Sequence, residues 1–304
     1  MKPLLIIAGA TAVGKSSLAL ELAKTLNSDI VSADSMQIYR GLDIGTAKPS
    51  KEEQRAVKHH LIDIVNPDET FNSFLYKEKV EELFKSNAYG EVPLFVGGTG
   101  FYYDCLLRSL DFKFDESSSQ IREELLEYYN NFGKDALFAK LEEVDPESAK
   151  LIHKNNIVRV IRAIEIASSG VRLSSRTRNK NTNYPYIMFT LDMDRAKLYD
   201  RINSRVDNMI ANGLVEEVES IYNYYNRNKE LQALQAIGYK EIIEYIEGAI
   251  SKKDTIELIK QRTRNYAKRQ ITFFKRFDNV ITLDANLDIT ILIDKIYSYY
   301  NSII

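Results

Sequence analysis

The feature that most constrains this chain is the stretch GATAVGKS at residues 9–16, which has the spacing Gly-x4-Gly-Lys-Ser. It follows the apolar run LLIIA and precedes SSLALELAKTL, in which Leu18, Leu22 and Leu26 recur at helical spacing. A strand, a turn and a helix in this order direct backbone N–H groups and the positive helix end toward an anion. The sequence therefore predicts a phosphate site on an α/β core, without indicating how many phosphates the ligand carries.

The order of strand and helix patterns predicts the domain organisation. IVSA is the second predicted strand, and a later one, VPLFVGGTG, precedes the helical FYYDCLLRSL; such alternation is typical of parallel strands joined by crossover helices. Residues 116–184 show helical periodicity without convincing strands, after which PYIMFTLDMD predicts another strand and the remainder is helical. We expect an α/β fold: a P-loop NTPase-like parallel-sheet core at 1–115 and 185–304, with a small helical domain inserted at 116–184.

Composition narrows the class of protein. The single cysteine, Cys105, excludes an internal disulfide and a cysteine-based zinc cluster, and we expect it to be a small core residue. No apolar run approaches the roughly 18 residues of a membrane span. We therefore expect a soluble, cytoplasmic monomer with no membrane partner.

The charge distribution is uneven although the net charge is only −2. Residues 150–180 hold eight basic side chains against the single acid Glu165, and residues 260–276 hold seven with no acid. Such blocks favour a polyanionic partner. The alternative is that both are solvated helix faces neutralised by acidic neighbours.

Polar residues follow the other predicted strands at the edge of the sheet where ligands bind. Asp34, Ser35 and Gln37 follow the strand IVSA, and Thr99 lies in the glycine turn after VPLFV. Asp34 is either a cap of its own turn or a general base or base-reading carboxylate. A nucleoside kinase would also need an acid here, so these motifs alone leave the reaction open.

Longer strings resemble one family. GATAVGKS, SADSMQIYRGLDIGTAKP, HHLIDI, FVGGTGFYY, RVDNMIANGLVEEV, QAIGYKE and RNYAKRQITFF occur in the order found in tRNA dimethylallyltransferases, across residues 3–277. The resemblance implies transfer of a dimethylallyl group from dimethylallyl diphosphate to N6 of the adenosine 3′ of the anticodon, position 37, in tRNAs reading codons that begin with U. The loop would then hold the donor's diphosphate, not ATP, and stabilise the pyrophosphate leaving group together with Mg²⁺.

The same resemblance implies roles for individual residues. Asp34 would act on the adenosine N6, Thr99 would lie near the reacting centre, and Arg205 would face the diphosphate, unless it is only a surface helix charge. Ser16 would bind Mg²⁺. The donor site would comprise Gly9, Ala10, Thr11, Ala12, Val13, Gly14, Lys15 and Ser16. The tRNA contacts, on the anticodon stem-loop, would be Asp34, Ser35, Met36, Gln37, Thr99, Arg122, Val158, Arg159, Val160, Ile161, Arg162, Ala236, Ile237, Gly238, Tyr239, Lys240 and Glu241.

Two positions depart from the family pattern or receive no role. Ala10 stands where the family commonly has proline, and we expect little consequence because backbone groups act there. His59 and His60 resemble a family pair, to which we assign packing or loop support.

Three alternatives to the tRNA prenyltransferase remain at this stage. They are a P-loop nucleoside or small-molecule kinase, an NTP-binding RNA-associated module, and an adenylate isopentenyltransferase that makes free cytokinins. The basic blocks argue against the kinase and against the adenylate enzyme, since a small acceptor requires no polyanion surface.

Overall fold

The chain is described from a computed structural model that covers residues 2–108, 117–168, 170, 173 and 182–303. Within these residues one sheet contains six strands. They are β1 (Leu4–Ala8), β2 (Ile30–Ser32), β3 (His59–His60), β4 (Leu94–Gly97), β5 (Tyr186–Asp192) and β6 (Val280–Asp284).

All neighbouring strands are parallel, in the order β3-β2-β4-β1-β5-β6. Strand β1 lies inside the sheet, with β4, β2 and β3 on one side of it and β5 and β6 on the other. The strand order therefore reverses at a point between β1 and β4. Ligands bind at the carboxyl ends of strands at such a point. The predicted α/β class with a parallel sheet is confirmed.

Helices alternate with the strands along the chain. They are α1 (Lys15–Leu26), α2 (Lys51–Ala56), α3 (Ser73–Ser86), α4 (Gly100–Leu107), α5 (Ser117–Val144), α6 (Pro146–Leu151), α7 (Ile157–Ser168), α8 (Arg195–Ala211), α9 (Leu214–Tyr224), α10 (Tyr239–Ile246), α11 (Lys252–Phe274) and α12 (Ile289–Asn301). None of the described helices is both long and apolar enough to cross a bilayer.

Alternation along β1 explains why the sheet needs helices on both faces. Leu4 and Ile6 join one apolar cluster, whereas Leu5 and Ile7 join the other. The predicted inner leucines of α1 are all buried in the second cluster, and Cys105 is buried as expected. An inner strand buried on both sides reads as a continuous apolar run, which is what LLIIA is.

One expectation about the C-terminal part was wrong. The chain after β5 was expected to be helical, but Val280–Asp284 forms β6, which pairs in parallel with β5. This strand lies at the edge of the sheet and only Leu283 in it is buried. Its short, half-exposed pattern is therefore too weak to be distinguished from loop by periodicity.

The chain divides into two compact units, Met1–Leu107 with Asn183–Ile304 and Arg108–Thr182. The chain leaves the first unit after Leu107 and returns to it at Asn183, whose N–H donates to the carbonyl of Leu107 at 2.8 Å. The second unit has its own apolar core, formed by α5 and α7, with Leu137, Leu141 and Val160 fully buried. Gly133, at φ 79° and ψ 178°, interrupts α5.

Candidate active site

The carboxyl ends of β1, β2 and β4 open into a cavity of about 690 Å³ within the first unit. The predicted site residues that line it are Thr11, Ala12, Gly14, Lys15, Ser16, Asp34, Gln37 and Arg205. Three separate segments of the sequence therefore converge on one space.

The loop after β1 presents its backbone to this cavity. Gly14 adopts φ 105° as the residue before α1, and no side chain caps the helix. The first turn of α1 contains no acid, so its N–H groups and the helix dipole remain available to an anion. Ala12 adopts φ 64°, a conformation that costs a non-glycine residue about 1 kcal/mol or more. Local strain of this kind is common at ligand-binding turns.

Lys15 points back across the same loop. Its Nζ donates to the carbonyl of Ala10 at 2.6 Å. Burial and the nearby positive charge of Arg205 lower the pKa of Lys15 from 10.5 to about 7, against a smaller opposing effect of Asp34. Alanine at position 10, where the family commonly has proline, does not alter this contact, because Lys15 bonds to the backbone carbonyl, which either residue supplies.

Helix α8 supplies the second cation. Arg205 lines the cavity, and burial lowers its pKa, with Asp34 opposing that effect. Arg201, Ser204 and Asn208 line the same wall. These positions repeat at three- and four-residue intervals, so one face of α8 is directed at the cavity. Because Arg205 is half-buried in the wall of the cavity, a mere surface charge does not fit its position.

Asp34 follows β2 and uses one oxygen to organise its own turn. Its Oδ1 accepts the backbone N–H of Met36 at 2.9 Å and that of Gln37 at 3.3 Å. Among the described residues Oδ2 has no hydrogen-bond partner. The cap of its own turn is therefore confirmed, and the second oxygen remains available to a ligand, which the predicted general-base role requires.

The loop after β4 packs tightly against this turn. Thr99 Oγ1 accepts the N–H of Ser35 at 3.0 Å and lies 3.3 Å from the Ser35 hydroxyl. A Cβ at Gly97 would lie 2.2 Å from the carbonyl oxygen of Ala33, and one at Gly100 would lie 2.2 Å from the ring of Phe273. The glycines of GGTG are therefore required by close approach, and they bring Thr99 beside the Asp34 turn.

Helix α11 forms a wall that the motif analysis did not assign. Tyr266 and Gln270, one turn apart, both line the cavity. Burial raises the pKa of Tyr266 to about 12, the charge of Asp34 adds to this, and a hydrogen bond with Thr99 opposes it. The i, i+4 spacing of Tyr266 and Gln270 within RNYAKRQITFF was the sequence signal that could have identified both as wall residues.

The loop at 43–47 is held by a carboxylate far away in the sequence. Glu217 accepts the backbone N–H groups of Asp43, Ile44 and Gly45 at 3.0, 2.7 and 3.1 Å. The hydroxyl of Tyr239 donates to the same carboxylate at 2.6 Å, and a Cβ on Gly45 would lie 2.4 Å from the Tyr239 ring. Glu217 was not predicted as a site residue, because a single glutamate in GLVEEV carries no pattern of its own.

The predicted tRNA contacts of the second unit differ in accessibility. Arg122 and Arg162 both pair with the buried carboxylate of Glu165, at 2.7 and 2.9 Å. Val158 and Arg159 are exposed. Val160 and Ile161 are buried in the core of this unit, so their side chains are not available to RNA as the unit stands.

The stretch 236–241 is also largely enclosed. Tyr239 and Glu241 are fully buried, and Glu241 accepts from Arg262 and from the N–H of Gly238. Only Ile237 and Lys240 are partly exposed. A contact with tRNA from this stretch would therefore be made by these two residues or by the backbone.

The two histidines differ in position. His59 lines the cavity, and its Nδ1 lies 2.8 Å from the carbonyl of Val57, whereas His60 Nε2 lies 2.7 Å from Asp29. Burial lowers the pKa of His59. The packing role is supported for both, and His59 in addition forms part of the cavity wall.

Within the described residues, no group of three or more histidine, cysteine or acidic side chains could hold a metal by itself. Ser16 and Asp34 are oxygen donors in the wall of the cavity. Mg²⁺ commonly keeps several waters and binds through few protein oxygens together with substrate phosphates. The donor set therefore fits a magnesium ion held mainly by a bound diphosphate.

Two family models match the chain. The model described as IPP transferase matches residues 37–277, and that described as isopentenyl transferase matches residues 2–69. The first covers well over half of the chain, whereas the second covers the N-terminal part from β1 to β3.

Curated relatives match nearly the whole chain. A protein of Thermoanaerobacter sp. (strain X514) named tRNA dimethylallyltransferase is 46% identical over 90% of this chain and 89% of its own length. A protein of the same name from Clostridioides difficile (strain 630) is 44% identical, over 93% and 92%.

Solved structures show the same fold. The tRNA isopentenylpyrophosphate transferase of Staphylococcus epidermidis is 39% identical, with a TM-score of 0.72 over 99% of both chains. A eukaryotic dimethylallyltransferase described as acting on tRNA is 28% identical, with a TM-score of 0.78 over 99% of this chain and 78% of its own.

Proposed function

This chain belongs to the IPP transferase family of tRNA dimethylallyltransferases, and from that premise we propose how its own residues carry out tRNA prenylation. The chemistry joins C1 of dimethylallyl diphosphate to N6 of an adenosine. The N6–C1 bond forms, the C1–O bond to the diphosphate breaks, and one N6 proton is removed.

The donor's diphosphate occupies the loop after β1. The N–H groups at the start of α1 and the cations of Lys15 and Arg205 surround the position of the leaving pyrophosphate. Negative charge grows on the leaving oxygens as the C1–O bond breaks. Donors and cations aimed at that charge in a partly buried cavity stabilise the transition state more than the ground state. Ser16 would hold Mg²⁺, which supplies further charge neutralisation on the diphosphate when bound.

The acceptor adenosine approaches from the side of Asp34 and Thr99. The lone pair of N6 is delocalised into the adenine ring, so the amine is a poor nucleophile. The available Oδ2 of Asp34 accepts a proton from N6 as the new bond forms. Asp34 is held for this by its turn, through the N–H groups of Met36 and Gln37.

The acceptor that best accounts for the rest of the chain is the anticodon stem-loop of tRNA, with the target at position 37 in tRNAs reading codons that begin with U. The target base must leave its stack to reach an enclosed carboxylate. Exposed cations on α11 and at the residue just after it, among them Lys268, Arg269 and Lys275, offer contacts to phosphates. We further propose that the protein acts as a monomer in the cytoplasm.

The observation that carries this proposal is the convergence of the phosphate loop, Arg205 and Asp34 on one cavity. A nucleoside kinase would also need an acid here, so the argument against phosphoryl transfer from ATP comes from the chain's membership of the tRNA dimethylallyltransferase family. An adenylate isopentenyltransferase would share the loop and the carboxylate, but it would not need the second unit.

The test is incubation of the purified protein with radiolabelled dimethylallyl diphosphate and bulk tRNA, without ATP, followed by nucleoside analysis. We expect N6-(dimethylallyl)adenosine in the tRNA and none when AMP replaces the tRNA. A requirement for ATP hydrolysis would contradict the donor assignment. Equal or better prenylation of AMP would favour the adenylate enzyme.

A further inference from the structure

The side chain of Gln270 spans two loops of the cavity. Its Oε1 accepts the backbone N–H of Thr11, in the phosphate loop, at 2.9 Å. Its Nε2 donates to the carbonyl of Gly98, in the loop after β4, at 2.9 Å. Gln270 is only 5% exposed. A buried amide with both ends bonded has one orientation, so Gln270 is a fixed part of the wall.

The space around this amide is full. A Cβ on Gly98 would lie 2.2 Å from Gln270 Nε2 and is thereby excluded. Tyr266, one turn earlier on α11, lines the same wall. Gln270 therefore cannot move aside for a ligand without breaking several contacts.

The contact with Thr11 changes what the phosphate loop offers. A loop of this kind binds phosphates through successive backbone N–H groups. Here the N–H of Thr11 is already used by a side chain, and the volume next to it is occupied. The anion-binding part of the loop is accordingly shortened at its N-terminal end, leaving the part nearest α1.

Charge alone would favour a longer polyphosphate. Lys15, Arg201 and Arg205 all line the cavity, and a triphosphate carries more negative charge than a diphosphate. A preference for two phosphates must therefore come from the shape and hydrogen bonding of the wall. Gln270 supplies both the shape and the hydrogen bond, because it fills the space beside Thr11 and accepts the Thr11 N–H.

We propose that Gln270 is a specificity-determining residue that restricts the phosphate loop to a diphosphate by occupying the Thr11 N–H and the space of a third phosphate. This deepens the proposed function, on which it rests, because it gives the reason why a loop common in triphosphate-binding proteins would select an allylic diphosphate donor over ATP.

The experiment compares inorganic pyrophosphate with inorganic triphosphate by isothermal titration calorimetry at a fixed free Mg²⁺ concentration. The wild-type protein should bind pyrophosphate at least as tightly as triphosphate. Gln270→Ala should raise the affinity for triphosphate relative to pyrophosphate by about tenfold or more, the size of one charge-assisted hydrogen bond. Gln270→Met keeps most of the volume and removes the acceptor, so it separates the freed N–H from the opened space. Gln261→Ala, at an exposed position on the same helix, should leave the ratio unchanged.

The outcomes distinguish this inference from the proposed function. Tighter binding of triphosphate than pyrophosphate by the wild-type protein would overturn the role of Gln270, as would an unchanged ratio in both the Ala and Met variants. A raised ratio in either variant supports it. Failure of the wild-type protein to bind pyrophosphate would overturn the donor assignment itself and the inference with it.

Discussion

The loop after β1 and the loops after β2 and β4 lie at the same edge of the sheet but are built differently. The first acts through its backbone: Ala10 and Val13 are buried, and N–H groups and one lysine face the cavity. The others act through side chains, with Asp34 held by its own turn and Thr99 packed beside Ser35.

This difference separates two energetic roles. In the proposed function a backbone loop and fixed cations meet the diphosphate before and during reaction, so they should contribute to donor binding as well as to the rate. A carboxylate that takes up a proton from N6 matters chiefly in the transition state. Substitutions on the two sides should therefore divide between rate and affinity.

The largest effect is expected at Asp34. Asp34→Asn retains an oxygen that can accept the N–H of Met36, yet the amide cannot take up a proton. We expect the single-turnover rate to fall by about 10² to 10⁴ while the dissociation constant for dimethylallyl diphosphate changes little. Asp34→Ala, which also removes the turn cap, should slow the reaction at least as much.

Rapid-quench kinetics at saturating donor and donor titrations measure the two quantities separately. If Asp34→Asn keeps its rate at saturation but loses donor affinity, Asp34 belongs to the diphosphate side and the comparison fails.

A smaller effect, on affinity first, is expected at Lys15. Lys15→Ala should weaken donor binding by roughly 10- to 150-fold, the range of a hydrogen bond to a charged group. It should also slow the reaction. Lys24→Ala, on the same helix but exposed and paired with Glu21, is the matched control and should bind the donor normally.

The same lysine should make donor binding depend on pH. The pKa of Lys15 is lowered to about 7 in the unliganded protein, so the charged form that binds diphosphate dominates below pH 7 and is lost above it. A tenfold change in the deprotonated-to-protonated ratio per pH unit predicts a fall in affinity of about fivefold between pH 7 and 8. Lys15→Arg, which stays charged, should not show this fall; an equal fall in that variant would assign the titration to another group.

The smallest effect is expected for the basic face of α11. Lys268 and Lys275 are exposed, and removing either by substitution with alanine should reduce the slope of log K for tRNA against log salt by about 0.9 if it contacts a duplex phosphate. Donor affinity should not change. Lys252→Ala and Lys253→Ala, at exposed positions in the first turn of the same helix, are the controls, and equal slopes in all four variants would identify the block as a solvated face.

The two basic blocks were interpreted together from the sequence, and both contain ion pairs in the structure, among them Lys260 with Asp207 and Arg262 with Glu241 in the block at 260–276. In the second unit Lys150 pairs with Glu147 and Lys154 with Asp135, so part of that block is neutralised locally. The arginines at 172, 176 and 178 lie outside the described residues. Formal charge counts overstate a polyanion surface whenever acidic partners come from other turns of the chain.

The sequence by itself determined the features that depend on contiguous residues. The phosphate loop, its strand and helix, and the turn capped by Asp34 require only neighbours within a few positions, because hydrogen bonds and helical periodicity act over that range. These features were predicted at their residues, and the family resemblance rested on the same short strings.

Only the tertiary structure decided how the segments meet. Gln270 contacts Thr11 across 259 positions, and Glu217 holds the backbone at 43–45 across more than 170. The edge strand β6 likewise exists by pairing with β5. No local pattern encodes such contacts, since a lone glutamine or glutamate has the same propensities wherever it stands. Its partner is chosen by the packing of helices against a sheet whose strands come from distant parts of the chain.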